Sequence, residues 1–192
     1  MLKTSANHLF RRLEQLNGIG AALSRERDIE RLLENILEAA KALTGADGGT
    51  LYRVTDDQSA LRFEIMRTDS LGIRLGGTTG QRIDLPDLPL RRADGSPNDA
   101  LVAAHAAIHD RTVNIADVYA EAGFDFSGTR AFDQRTGYRS QSFLTVPMKN
   151  HDGDLIGVLQ LLNALDPDTG EVLPFSEADQ SLTESLASQA AI

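Results

Sequence analysis

Cysteine is absent from all 192 residues of the chain. That removes disulfides, thiolate metal sites, a cysteine nucleophile and thioether attachment of a tetrapyrrole. It fits a reducing compartment, and the expected location is cytoplasmic. No apolar run reaches the roughly 18 residues that a bilayer requires, and no secretory leader pattern is present, so no membrane association is expected. Positive charge is in deficit, with 19 Lys and Arg against 28 Asp and Glu and a net charge of −9. A phosphate polymer demands a basic surface, so no nucleic-acid partner is expected. A small anionic ligand would have to be held by local donors against the overall field. There is no internal repeat and no low-complexity tract.

What is present is organised around the stretch Phe132–Ala164. An alternating apolar run from Ser142 to Met148 is followed by a polar turn at Asn150–Asp154 and a second apolar run from Leu155 to Leu162. The sequence His151-Asp152-Gly153-Asp154 supplies turn chemistry, which predicts a hairpin in the middle of an antiparallel sheet. The polar segment ahead of it, Asp133 to Ser140, is dense in hydrogen-bonding side chains and reads as one wall of a pocket.

Upstream, a helix is expected over about Thr4–Leu23, with Leu9, Leu13, Leu16 and Leu23 at heptad-like spacing and Gly18 and Gly20 weakening its end. Its narrow stripe fits either packing on its own domain or the seam of a helical dimer. A second helix over Asp28–Leu43 has a broad apolar face, with Asp28 as N-cap and Gly45 as stop. Strands follow at Gly49–Val54 and Leu61–Arg67. The glycine- and proline-rich segment Asp69–Ser96 carries one short strand candidate, Arg82–Leu85. A small-residue helix from about Asn98 to His109 is expected to be capped by Ser96 or Asn98. Then come a strand at Thr112–Ile115, an irregular segment from Asp117 to Gly128, and a helical turn over Thr129–Gln134. After the hairpin, Ser176 and Asp179 form a capping-box pattern opening a last helix. The organisation expected is an N-terminal helix over residues 1–24, a sensor domain over 25–175 and a connector helix over 176–192 leading to an output domain.

The element order and the stretch TGYRSQSFLTVPMKNHDGDLIGVLQLLNA resemble the GAF domain family and its TGFRT…PIKN…GV…LVNK pattern. The likeness is closest to the GAF domains of cyclic-nucleotide phosphodiesterases and of bacterial sensors linked to HD-GYP or cyclase domains. It implies an α+β fold: a six-stranded antiparallel sheet, helices on one face, and a loop-roofed pocket on the other. The family's cyclic-nucleotide signature is represented by Asn163, Phe175 and Asp179. Ala164 stands in place of its Lys and Gln180 in place of its Glu, so the family's Lys–Asp pair cannot form, and Asp179 is expected to cap its own helix.

By the same resemblance, Asp133, Thr136 and Ser140 fall at purine-facing and lid-side positions. Gln160 takes the place of an acidic pocket residue, and Thr50 that of a small hydroxyl residue at the base. These types can match the donors and acceptors of a purine edge. A cyclic phosphate would meet backbone N–H groups such as those of Val102 and Ala103. Asp99, in that helix's first turn, would oppose it, and Arg91 and Arg92 could compensate.

The expected function is therefore a regulatory module binding cAMP, cGMP or a related ligand, dimeric through its terminal helices, with no cofactor required. A ligand-free dimerisation domain with a vestigial pocket is the alternative. Catalysis is not expected: methionine sulfoxide reduction by GAF proteins needs cysteine thiolates, and no nucleophile–base pair stands out. Noncovalent haem or flavin would show as visible absorbance. His105 and His109 stand at i, i+4, but no Glu lies between them and no third donor is evident in the sequence, so no metal is expected.

Overall fold

The computed structural model describes residues 2–190, with side chains over 11–190. The side chain of Leu9 in the expected N-terminal stripe, and the chain end at Ile192, therefore lie outside what is described. The strands are β1 (Ala46–Val54), β2 (Ala60–Thr68), β3 (Ile73–Gly76), β4 (Leu88–Pro89), β5 (Val113–Ile115), β6 (Phe143–Lys149), β7 (Leu155–Leu165) and β8 (Val172–Leu173). The helices are α1 (Leu2–Leu23), α2 (Ile29–Thr44), α3 (Val102–His109), α4 (Ser127–Thr136) and α5 (Glu177–Ser188).

Six strands form an antiparallel path in the order β3-β2-β1-β7-β6-β5, and the short β4 and β8 pair with β2 and β7. The fold is the expected α+β architecture. The hairpin of β6 and β7 supplies two of its central strands, with Thr145 opposite Gln160 and Val146 opposite Leu159. Its turn is closed by Asn150, whose Oδ1 accepts from the backbone N–H of Asp152 and Asp154. On β7, Gly157 lets β1 approach: a Cβ there would lie 2.2 Å from the Tyr52 carbonyl oxygen.

Alternation assigns the two faces. Leu51, Ile65, Leu144, Val146, Leu159 and Leu161 face α2 and α5 in one core. On the other face Tyr52 and Val158 pack against Ala103 and Ala107 of α3, while Phe143 packs with Val102, Val118 and Phe126. α2 begins where expected, Asp28 accepting from the N–H of Glu30 and Arg31, and stops at left-handed Gly45, φ 70°. Gly18 and Gly20 do not end α1, which runs on to Leu23. Its stripe divides: Leu16 and Ile19 lie against the core and Leu23 is buried, whereas Leu13 is 48% exposed.

Three expectations are corrected. Arg82–Leu85 is not a strand; the edge strand beside β2 is Ile73–Gly76, too short to show periodicity. The helical turn at Thr129–Gln134 is a longer helix, Ser127–Thr136. The small-residue helix starts at Val102 rather than near Asn98. Ser96 instead bonds Asp94, and Asn98 donates to the Pro89 carbonyl, so both side chains shape the preceding loop rather than cap the helix.

Arg67 is fully buried beneath α2. Its guanidinium donates to the carbonyls of Met66 and Leu75 and pairs with Glu34, whose other oxygen accepts from the Thr78 N–H and hydroxyl. Burial alone would raise the Glu34 carboxyl, but the Thr78 and Arg67 hydrogen bonds outweigh it and hold the group below its ordinary 4.5. A depressed carboxyl contributes stability above the unfolded value and loses it as pH falls. The stability of the chain is therefore expected to fall as pH drops below 4.5, and Glu34→Gln to flatten that slope, read by urea denaturation across pH. Gly157→Ala is expected to destabilise by about 1–3 kcal/mol through overpacking. Gly128→Ala, where a Cβ meets nothing within 4 Å, is expected to be neutral or mildly stabilising in the same assay.

Candidate functional site

The sheet face opposite α2 carries a polar row in an otherwise apolar surface. Thr50 on β1 pairs with Gln160 on β7, and Gln160 with Thr145 on β6. All three are buried. Gln160 Nε2 donates to Thr145 Oγ1 at 2.9 Å, and the Tyr52 hydroxyl donates to Gln160 Oε1 at 3.3 Å. Thr50 differs. Only 5% of it is exposed, yet among the described residues its hydroxyl makes no side-chain hydrogen bond.

Val102 and Ala103 flank this row from above. Val102 packs with Phe143 and Leu162, and Ala103 with Tyr52 and Val158, the neighbours of Thr50 and Gln160 along the strands. They form the first turn of α3, whose N-cap position is Leu101 with no side-chain cap and whose first turn holds no acidic residue. The first N–H groups of a helix have no intrahelical partner, so this end presents unpaired donors within the fold. Asp99 does not stand in the first turn; it is engaged with His109, 2.6 Å away. The electrostatic objection to an anion at this helix end is thereby removed.

A second cluster forms on α4 and the segment after it. Asp133 is buried and accepts from the Ser140 N–H at 2.9 Å, the Ser140 hydroxyl at 2.8 Å and the Tyr119 hydroxyl at 2.8 Å. Arg139 stacks over the Tyr119 ring at 4.2 Å. Thr136 belongs to the same helix, but its hydroxyl turns back to donate to the Phe132 carbonyl, the usual local option of a hydroxyl residue near a helix end. Thr50 and Gln160 are thus brought together, as are Asp133 and Ser140, while the Thr136 hydroxyl is directed into its own helix.

The signature residues have structural roles. Asn163 adopts φ 53°, a left-handed conformation that Asn tolerates better than most residues. Its side chain donates to Tyr138 Oη and the Arg139 carbonyl and accepts from the Gln141 N–H. Phe175 is buried in the core beside α5. Asp179 does complete a capping box with Ser176, and it has a further partner that the sequence did not reveal: Arg12 of α1, at 3.2 Å. That guanidinium also donates to the Leu43 carbonyl, so one side chain joins α1, α2 and α5.

Asp47, Tyr52, Tyr119, Tyr138 and Thr145 were not singled out from the sequence. The available signal was polarity in the wrong place, such as Asp47 and Thr145 inside strands that are otherwise apolar. Two open surface clefts, of about 620 and 440 Å³, lie away from these residues, at the β2–β3 edge and beside β6 and α5.

A profile of the GAF domain matches residues 28–192. The chain is 29% identical over 164 residues to dual 3′,5′-cyclic-AMP and -GMP phosphodiesterase 11 of Drosophila melanogaster, covering 83% of this chain and 10% of that protein. The chain therefore spans about a tenth of that relative's length. Among solved structures, the GAF domain of a phosphoenolpyruvate-protein phosphotransferase from Coxiella burnetii superposes with a TM-score of 0.67 at 16% identity, covering 93% of this chain and 89% of that one. Free methionine-R-sulfoxide reductase from Neisseria meningitidis, solved with its substrate, gives 0.62 at 20% identity, covering 93% and 85%. At these identities the structural likeness concerns the fold.

All three tyrosines are held protonated above their ordinary 10.0: Tyr119 by its hydrogen bond to Asp133, Tyr52 by burial, and Tyr138 by burial and its bond to Asp47. A raised group contributes stability below the unfolded value and loses it as pH rises. Ultraviolet titration is expected to show little tyrosinate in the folded chain at pH 10.0, with stability falling above that pH. Asp133→Asn is expected to move the Tyr119 step back towards 10.0, with a smaller effect on Tyr138, which the Asp133 charge also raises, and none on Tyr52. A wild-type chain half ionised at that pH would contradict the bonding described.

Proposed function

The chain belongs to the GAF domain family, and on that premise we propose that it is a regulatory sensor of a cyclic purine nucleotide, cAMP or cGMP. The observation that carries this reading is the hydroxyl of Thr50, a residue 5% exposed: it bonds no other side chain among the described residues and lies next to Gln160 in the sheet. A hydroxyl with no side-chain partner is free to donate to, or accept from, a ligand without breaking a bond of the fold. Gln160 offers a donor and an acceptor to a purine edge, exchanging its bonds to Thr145 and Tyr52 for bonds of similar worth. The N–H groups at the start of α3, including those of Val102 and Ala103, receive the phosphate. Asp133 and Ser140 close the lid side by fixing the segment ahead of β6. The similarity to a phosphodiesterase that acts on both cyclic nucleotides supports the ligand class.

Binding shifts an equilibrium only through differential affinity for two states. The segments Asp69–Asn98 and Asp117–Thr129 are the elements that order around the ligand, and α1 and α5 carry the change to an output domain such as a phosphodiesterase or cyclase. The Arg12–Asp179 pair joins those two helices directly. The exposed Leu13 on α1 is the described part of a homodimer seam through the terminal helices. The setting is cytoplasmic; no helix among the described residues is long and apolar enough to cross a membrane. The domain itself carries out no catalysis.

A second reading, a ligand-free dimerisation scaffold, is favoured by the internal satisfaction of Gln160, Asp133 and Thr136. Calorimetric titration of the ligand-stripped chain with cAMP and with cGMP separates the two. The sensor reading predicts saturable binding, weakened about tenfold by Thr50→Val and by Gln160→Leu without loss of fold. No heat and no thermal shift at saturating nucleotide would leave only the scaffold.

A further inference from the structure

We propose that Asp99, His105 and His109 form a binding site for a divalent transition-metal ion of the zinc class. The inference is independent of what the polar row binds. The sequence offered His105 and His109 one helical turn apart without a third donor; the fold supplies it. Asp99, on the loop just ahead of α3, brings Oδ1 to 2.6 Å from His109 Nε2 and 3.5 Å from His105 Nδ1. One ligating atom from each of the three side chains lies within 4.8 Å of the others.

The donor geometry is close to what such an ion needs. Zinc–nitrogen and zinc–oxygen bonds of about 2.0–2.1 Å place tetrahedral donors roughly 3.3 Å apart. The Asp99–His109 contact has to open by less than about 1 Å and the two imidazole donors, within 4.8 Å of each other, to close by up to about 1.5 Å, within the reach of rotamer adjustment at side chains this exposed. The imidazoles lie on one face of α3, their ring centroids 4.5 Å apart, and the edge of Phe124 contacts the His105 ring at 5.3 Å.

His105 supplies the independent sign that something is missing. Its Nδ1 is shielded from solvent and has no hydrogen-bond partner, Asp99 Oδ1 standing off at 3.5 Å. A shielded nitrogen lone pair or N–H left unpaired is costly, and a metal ion placed between it and the carboxylate removes the cost. The donor set selects the ion: two imidazoles and one carboxylate suit Zn2+, Co2+, Ni2+ or Cu2+ rather than Mg2+ or Ca2+. Three protein donors leave a fourth position for water, reachable because the Asp99 and His109 side chains are 48% and 40% exposed. The net charge of −9 and the position of His109 in the last turn of α3, the negative end of its dipole, both favour a cation.

The consequence is a clamp. The loop is already fixed by the Asn98 and Asp125 backbone bonds to Leu90 and Ala100. A bound ion would add a tie from this loop to the outer face of α3, whose inner face packs through Ala103 and Ala107 on Tyr52 and Val158. Metal would thus stiffen the helix that covers the polar row.

The test uses the chain stripped with EDTA, then titrated with Co2+ and Zn2+. The expected result is one ion per chain, a tetrahedral Co2+ visible band bleached by Zn2+, and a rise in melting temperature with free Zn2+. His105→Gln, His109→Gln and Asp99→Asn are each expected to weaken binding by at least about tenfold while leaving the metal-free melting temperature close to wild type. Joint His8→Ala and His151→Ala substitution is expected to leave the band in place. The proposal is overturned by the absence of both band and heat at excess metal, or by a band that survives the three site substitutions.

Discussion

Asp47 is a carboxylate only 6% exposed, near the start of the strand that joins the two halves of the sheet, and the fold around the candidate site depends on satisfying it. Ser70 donates both its N–H and its hydroxyl, and the Tyr138 hydroxyl donates at 2.7 Å. Tyr138 in turn accepts from Asn163. The start of β1, the β2–β3 turn, the polar segment before β6 and the end of β7 therefore meet in one buried network. An unpaired buried carboxylate costs far more than an ordinary lost hydrogen bond, so these four segments hold their positions together or not at all.

This junction explains how a sheet with an apolar back can carry a polar front. Behind it, α2 and α5 bury the strands in a continuous core, pinned by Arg67 and Glu34. In front, the left-handed Asn163 turns its side chain away from the ladder to grip Arg139 and Gln141. That grip places Ser140 where Asp133 and Tyr119 can reach it. The row from Thr50 to Thr145 is then covered by α3, whose alanines allow close approach. The polar front and the scaffold thus share one set of hydrogen bonds.

Elements governed by local rules were legible in the sequence. α2 with its Asp28 and Gly45 caps, the β6–β7 hairpin and the Ser176–Asp179 capping box each follow from neighbouring residues. The pairing of Thr50 with Gln160 was legible only through resemblance, because nothing local specifies it. The start of α3 was misplaced because Ser96 and Asn98 are good caps in the abstract, while their side chains are committed to the loop before it. Contacts between distant residues left no local trace. Arg12–Asp179 and Tyr138–Asp47 join side chains from opposite parts of the chain, and Asp99 becomes a neighbour of His105 and His109 only once the loop folds back along α3.

The most direct test of this dependence is a double-mutant cycle between Asp47→Asn and Tyr138→Phe, measured by denaturant unfolding. If the buried junction acts as a unit, the coupling energy is expected to be about 1–3 kcal/mol, with the double variant much less destabilised than the sum of the singles. Additivity within about 0.5 kcal/mol would mean that the two groups act separately, and the wall before β6 would owe its position to something else.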